Sequence, residues 1–176
     1  MPAEQFVSEL NEQIGREYGA HQQYVAVAVH YDALTFPQLA AFFYRQAVEE
    51  RGHAMMMIQY LLDAGERPIV PGVAAPRTDF ADVVEPIRIA LEQERRVTDQ
   101  ISGLAAIPRE ANDYVSEQFT QWFLKEQVEE VATMSDLLAV AERSKDHPSD
   151  IEDFVAREHP GEEATDPTAP SIAGGG

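Results

Sequence analysis

The stretch Gln46-Ala47-Val48-Glu49-Glu50-Arg51-Gly52-His53-Ala54-Met55-Met56-Met57 decides the fold. Taken at helical spacings of three and four, its inner stripe reads Leu39, Phe43, Gln46, Glu50, His53, Met57, Leu61. An acid and an imidazole therefore hold the centre of a face that is apolar at both ends. Glu50 and His53 stand about one turn apart, so both heads point at one place.

Outward from that stretch the same pattern recurs three times. The first stripe is Phe6, Leu10, Ile14, Glu17, His21, Tyr24, Ala28, Tyr31. The third is Val84, Ile87, Leu91, Glu94, Thr98, Ile101, Ala105. The fourth is Val115, Phe119, Phe123, then Glu126 or Gln127, Glu130, Met134, Leu137. Carboxylates from all these helices at similar depth cannot stay ionised and unpaired, because desolvation and mutual repulsion are prohibitive. Few bases lie on the stripes, so a bound polyvalent cation is the simplest compensation. Carboxylates with one imidazole and no sulfur suit iron or manganese, and can bind zinc. A bridging carboxylate lets such a set hold two ions.

Punctuation sets the boundaries. Helices are expected from Glu4 to about Asp32, from Pro37 to about Ala64, from between Asp82 and Glu85 to before Pro108, and from Asn112 or Asp113 to about Arg143. Gly65 is the expected C-terminal stop of the second. Ser149 with Glu152 has the capping-box pattern and opens a short fifth helix to about Glu158. The expected fold is all-α, a four-helix bundle with a long crossover between the second and third helices and a short fifth helix. The crossover, about 16 residues, can span roughly 50 Å. The second helix is about 42 Å long, so its neighbour in sequence can run parallel to it. The domain is residues 1–158. Residues 159–176 form an acidic Pro/Gly-rich tail, expected to be disordered.

Composition narrows the function. The chain has 176 residues, 44% hydrophobic, which is one domain with a sizeable core. Lys and Arg number 13 against 31 Asp and Glu, a net charge of −18, so nucleic acid and anionic membranes are poor partners and cations good ones. The absence of cysteine excludes disulfides, thiolate metal sites and cysteine nucleophiles. No apolar run is long enough to span a membrane, and the N-terminus lacks a signal-peptide pattern, so a cytoplasmic protein is expected.

Glu17, the run Glu49-Glu50-Arg51-Gly52-His53-Ala54, Glu94, and Glu126-Gln127-Val128-Glu129-Glu130 together resemble the non-haem bacterial ferritins. The resemblance covers residues 4 to about 158. It implies an iron-storing ferroxidase that uses dioxygen or peroxide, assembled as a hollow homo-oligomeric shell of 24 subunits. It implies one iron on Glu17, Glu50 and His53, and a second on Glu50 as bridge, Glu94 and Glu130, with Gln127 close by. A third, looser iron site would match Glu49, Glu126, Glu129 and Glu130. Tyr24 matches a tyrosine beside the iron pair, able to hydrogen-bond a ligand carboxylate or donate an electron. Trp122 matches a tryptophan near the site. Haem is not expected, because Arg51 stands where the haem-binding relatives carry methionine. Glu117, with Asp113 and Gln121, is the expected acid of an iron channel. The tail is either inert, a partner-binding segment of unknown partner, or an iron-binding one through Glu162, Glu163 and Asp166.

Overall fold

The computed structural model describes residues 1–161 and 166–175. They form α1 (Glu4–Ala33), α2 (Pro37–Asp63), α3 (Glu85–Glu110), α4 (Tyr114–Arg143) and α5 (Pro148–Glu158), with no strand among them. Pro37 and Pro86 sit in first turns, where a missing N–H costs nothing. Gly65 follows α2 at φ +76, a conformation glycine adopts freely. No helix is long and apolar enough to cross a membrane.

The core settles the topology. One apolar cluster joins Tyr24–Tyr31 of α1, Leu39–Ala47 of α2, the N-cap Val84 with Ile87–Leu91 of α3, and Met134–Ala141 of α4. The other joins Phe6–Ile14, Ala54–Leu61, Val97–Leu104 and Phe123 of the same helices. Each end of the bundle thus holds the late half of α1 and α4 with the early half of α2 and α3, or the reverse. Hence α1 is antiparallel to α2, α3 to α4, and α2 runs parallel to α3, as the long crossover permits. Between the clusters, at mid-length, lie the buried polar residues Glu17, Glu50, His53, Glu94, Gln127 and Glu130.

Four local readings need correction. α3 does not stop before Pro108 but runs through it to Glu110. In the last turn Pro108 costs little, and its carbonyl accepts the N–H of Asp113 at 2.8 Å. Val115 is not a core residue: it is 72% exposed, and Ser116 and Thr120 are buried instead. The Ser116 hydroxyl meets that of Tyr60 at 2.7 Å, so polar residues suit this end of α4. Glu152 does not cap its own helix. Its carboxylate accepts the N–H groups of Gln38 and Leu39 at 2.9 and 2.8 Å, at the start of α2. Residues 166–175, expected to lack a packing partner, lie against the bundle: Ala169, Ile172 and Ala173 pack on the second cluster. Glu162 and Glu163 fall outside the described residues.

Candidate metal centre

Glu17 from α1 meets Glu50 and His53 from α2 at the bundle centre. One ligand atom from each lies within 4.8 Å of the others, the only such group among the described residues. His53 Nδ1 is 3.4 Å from Glu50 Oε2 and 3.7 Å from Glu17 Oε2. Those two oxygens have no hydrogen-bond partner, and neither does Glu130 Oε2, although all are buried. Bare buried carboxylate oxygens are costly unless a cation takes them up. An oxygen-rich set with one imidazole fits iron.

Other carboxylate oxygens of the set are tied down by hydrogen bonds. The Gln13 amide donates to Glu17 Oε1 at 2.7 Å. The Tyr24 hydroxyl donates to Glu94 Oε1, and the Gln127 amide to Glu94 Oε2 at 3.1 Å. Outer partners of this kind fix ligand carboxylates in orientation. Gln127, not Glu126, is the buried member of its pair; Glu126 is half-buried. Gln13 was missed in the sequence, though its place four residues before Glu17 was a readable signal.

The charges are mutually dependent. Burial pushes the Glu50 carboxyl well above its ordinary range, and the Glu94 charge pushes it further. Burial likewise raises Glu94, and burial followed by Glu49 and Glu94 raises Glu130. Burial opposes the charge on Glu17, but His53, with Glu50 and Gln13 after it, outweighs burial and the carboxyl ends lowered. Burial also opposes a charged His53, yet Glu17 and Glu50 raise it well above the usual histidine range. Without a metal, protons do the compensating.

The outer acids are less gathered. Burial raises Glu126, and next the charges of Glu129 and Glu49 do so. These acids are electrostatic neighbours, but their ligand atoms do not converge as the inner set does. The Gln46 amide donates to Glu49 at 3.0 Å, and Glu129 is exposed. The expected channel acids have local duties. Asp113 caps α4 through Ser116, and Glu117 pairs with Arg109 at 2.7 Å.

A four-helix bundle with a buried carboxylate–histidine centre and a parallel crossover defines a ferritin-like metal-handling protein. Residues 7–144 match the Ferritin family, described as a ferritin-like domain. The chain belongs to that family of iron-storage proteins. It is 51% identical over 166 residues to "Ferritin BfrB" of Mycolicibacterium smegmatis, covering 94% of this chain and 91% of the relative. It is 37% identical over 133 residues to a "Bacterial non-heme ferritin" of Staphylococcus epidermidis, covering 76% and 80%. The fold matches the open-pore ferritin of Archaeoglobus fulgidus with a TM-score of 0.84 at 24% identity, covering 88% of this chain and 96% of that one.

Proposed function

We propose that the protein oxidises ferrous iron at a paired-metal centre within each subunit, using dioxygen or peroxide, and stores the ferric product as a mineral inside a homo-oligomeric shell of 24 copies. The observation that carries this reading is the convergence of Glu17, Glu50 and His53 with bare, buried oxygens between two apolar clusters.

Ferrous ions are the substrate. Glu17 and His53 hold one, Glu94 and Glu130 the other, and Glu50 serves both. Gln127 and Tyr24 keep the Glu94 carboxylate oriented. Tyr24 is raised well above its ordinary value, by burial first and by Glu94 next, so its hydroxyl stays protonated and donating at neutral pH. Each ferrous ion gives up one electron to the oxidant, and the ferric product leaves past Glu49, Glu126 and Glu129, which with Glu130 form the looser third site. Purified protein should bind two ferrous ions per subunit tightly under anaerobic conditions and oxidise them rapidly on aeration. Oxidation no faster than in buffer would overturn the reading.

The protonation pattern gives a second test. Glu50, Glu94, Glu130 and His53 all have folded-state values above their ordinary ones. Their contribution to the stability of metal-free protein is present at acidic pH and is lost as pH rises through those folded values. Glu17, being lowered, works the other way at low pH. Divalent cations displace these protons. The rise in Tm on adding manganese should therefore grow between about pH 5 and about pH 8. A gain that is flat with pH would mean that the acids do not exchange protons for metal.

A further inference from the structure

The segment 166–175 carries the next inference. Its apolar side chains Ala169, Ile172 and Ala173 rest on the second cluster, and the Ala173 N–H donates to the Met55 carbonyl at 3.2 Å. Its acid, Asp166, makes the polar attachment. The Trp122 indole N–H donates to Asp166 Oδ2 at 3.1 Å, and Lys125 Nζ lies 3.6 Å from the same oxygen. The other oxygen accepts from the Thr168 N–H and hydroxyl at 2.8 and 2.7 Å. These Thr168 bonds, and then Trp122, hold the Asp166 carboxyl down at about 2, so it is ionised in any ordinary buffer.

Trp122 connects this attachment to the centre. Its ring meets His53 edge to face at 5.7 Å, and Phe123 meets His53 at 5.7 Å as well. Trp122 and Phe123 are themselves in contact at 5.0 Å, so the pair braces the imidazole. A groove of about 300 to 1,000 Å³ is typical of small-ligand clefts. Here one of 780 Å³ is lined by Glu49, His53, Trp122 and Glu126 from the bundle and by Asp166 and Ile172 from the segment. The segment thus forms one wall of the space between His53 and the outer acids. Asp166 is not in the convergent ligand group, so its role is positional.

We infer that residues 166–175 are a docked strap, fastened by Asp166 to Trp122, that keeps His53 braced and slows the escape of cations from the centre toward Glu49 and Glu126. This rests on the metal-centre reading. Loss of the strap removes both an obstruction and a negative charge, and each change speeds cation release.

Trp122 is the only tryptophan of the chain, so its emission reports docking directly. The comparison uses the full-length assembled protein, Asp166→Ala, Asp166→Asn and a truncation after residue 165. In the metal-free state, Asp166→Ala and the truncation should shift Trp122 emission to the red and increase its quenching by acrylamide. Asp166→Asn, which keeps an acceptor oxygen, should stay near wild type. With cobalt(II) bound anaerobically, release into excess chelator should become about tenfold faster in Asp166→Ala and the truncation, the order expected from losing a hydrogen bond to a charged group. Cobalt stoichiometry should not change. Unaltered emission and quenching would overturn the docking. Altered emission with unaltered cobalt release would overturn the retention role alone. No cobalt binding by the wild-type protein would overturn the metal centre, and the strap's role with it.

Discussion

Glu50→Ala should abolish the fast phase of ferrous oxidation, whereas Glu129→Ala should keep the first burst and alter only later turnover. Glu50 is buried, its Oε2 is bare, and it faces the Glu17–His53 pocket at 3.4 Å from Nδ1. The Glu94 charge acts on it from the other side. A carboxylate between two ions contributes a bond to each and compensates both charges. Losing an outer partner of a metal ligand typically costs 10–100-fold, so losing a shared ligand should cost more than about 100-fold in burst rate. Glu50→Gln, close to the native volume, should lose the burst as completely. Neither variant should melt lower than wild type without metal beyond the effect of a small cavity, because each removes an acid whose burial already opposes its charge. Glu129 is exposed, and its charge acts on Glu126 rather than being gathered into the convergent ligand group. Stopped-flow oxidation after successive small ferrous additions separates the two cases. A normal burst in Glu50→Ala would remove the paired centre from this position, and a lost burst in Glu129→Ala would merge the two layers.

The centre was legible because a buried charge interrupts an apolar stripe, and that interruption is written in one helix at a time. Glu17, Glu50, His53, Glu94 and Glu130 could each be read from spacing alone, and all are buried at the same level of the bundle. The parallel course of α2 and α3 was legible for a similar reason, since the length of the crossover permits it. What spacing could not give were contacts between distant parts of the chain. Pro108 breaks a helix only where its turn needs the missing N–H, and the Asp113 contact closes that end instead. Ser149 and Glu152 have the right spacing for a box, but the unprotected start of α2 lies beside Glu152 and claims it. The fourth stripe was read one step round the helix at its start, because Tyr60 makes Ser116 a better core residue than Val115. The tail looked structureless by composition. Three apolar side chains, Ala169, Ile172 and Ala173, suffice to seat it once Trp122 and Lys125 offer partners to Asp166.

Removing residues 149–176 should lower the melting temperature by about 10–20 °C and disrupt the assembly, while removing only residues 160–176 should change the melting temperature by a few degrees at most. α5 is held by apolar burial and by a cap that it lends. Ile151 and Val155 are 0% exposed within the first cluster, and Phe154 packs beside them. Full burial of two such side chains contributes about 3–6 kcal/mol. Glu152 supplies the start of α2 with two acceptors, where the N-cap residue Phe36 offers none. A carboxylate at a helix N-terminus is worth roughly 0.5–2 kcal/mol. The sum is a large part of the ~5–15 kcal/mol that holds a domain folded. α5 is also too short to stand alone, so its order depends on this docking. Glu152→Ala isolates the cap and should cost about 1–2 kcal/mol, roughly 2–8 °C, without changing the size of the assembly. Calorimetry and light scattering on the three variants read both effects. A 149–176 truncation with wild-type size and melting temperature would show that α5 braces neither α2 nor the shell. A Glu152→Ala variant that melts like wild type would leave the apolar face of α5 as its only hold on the bundle.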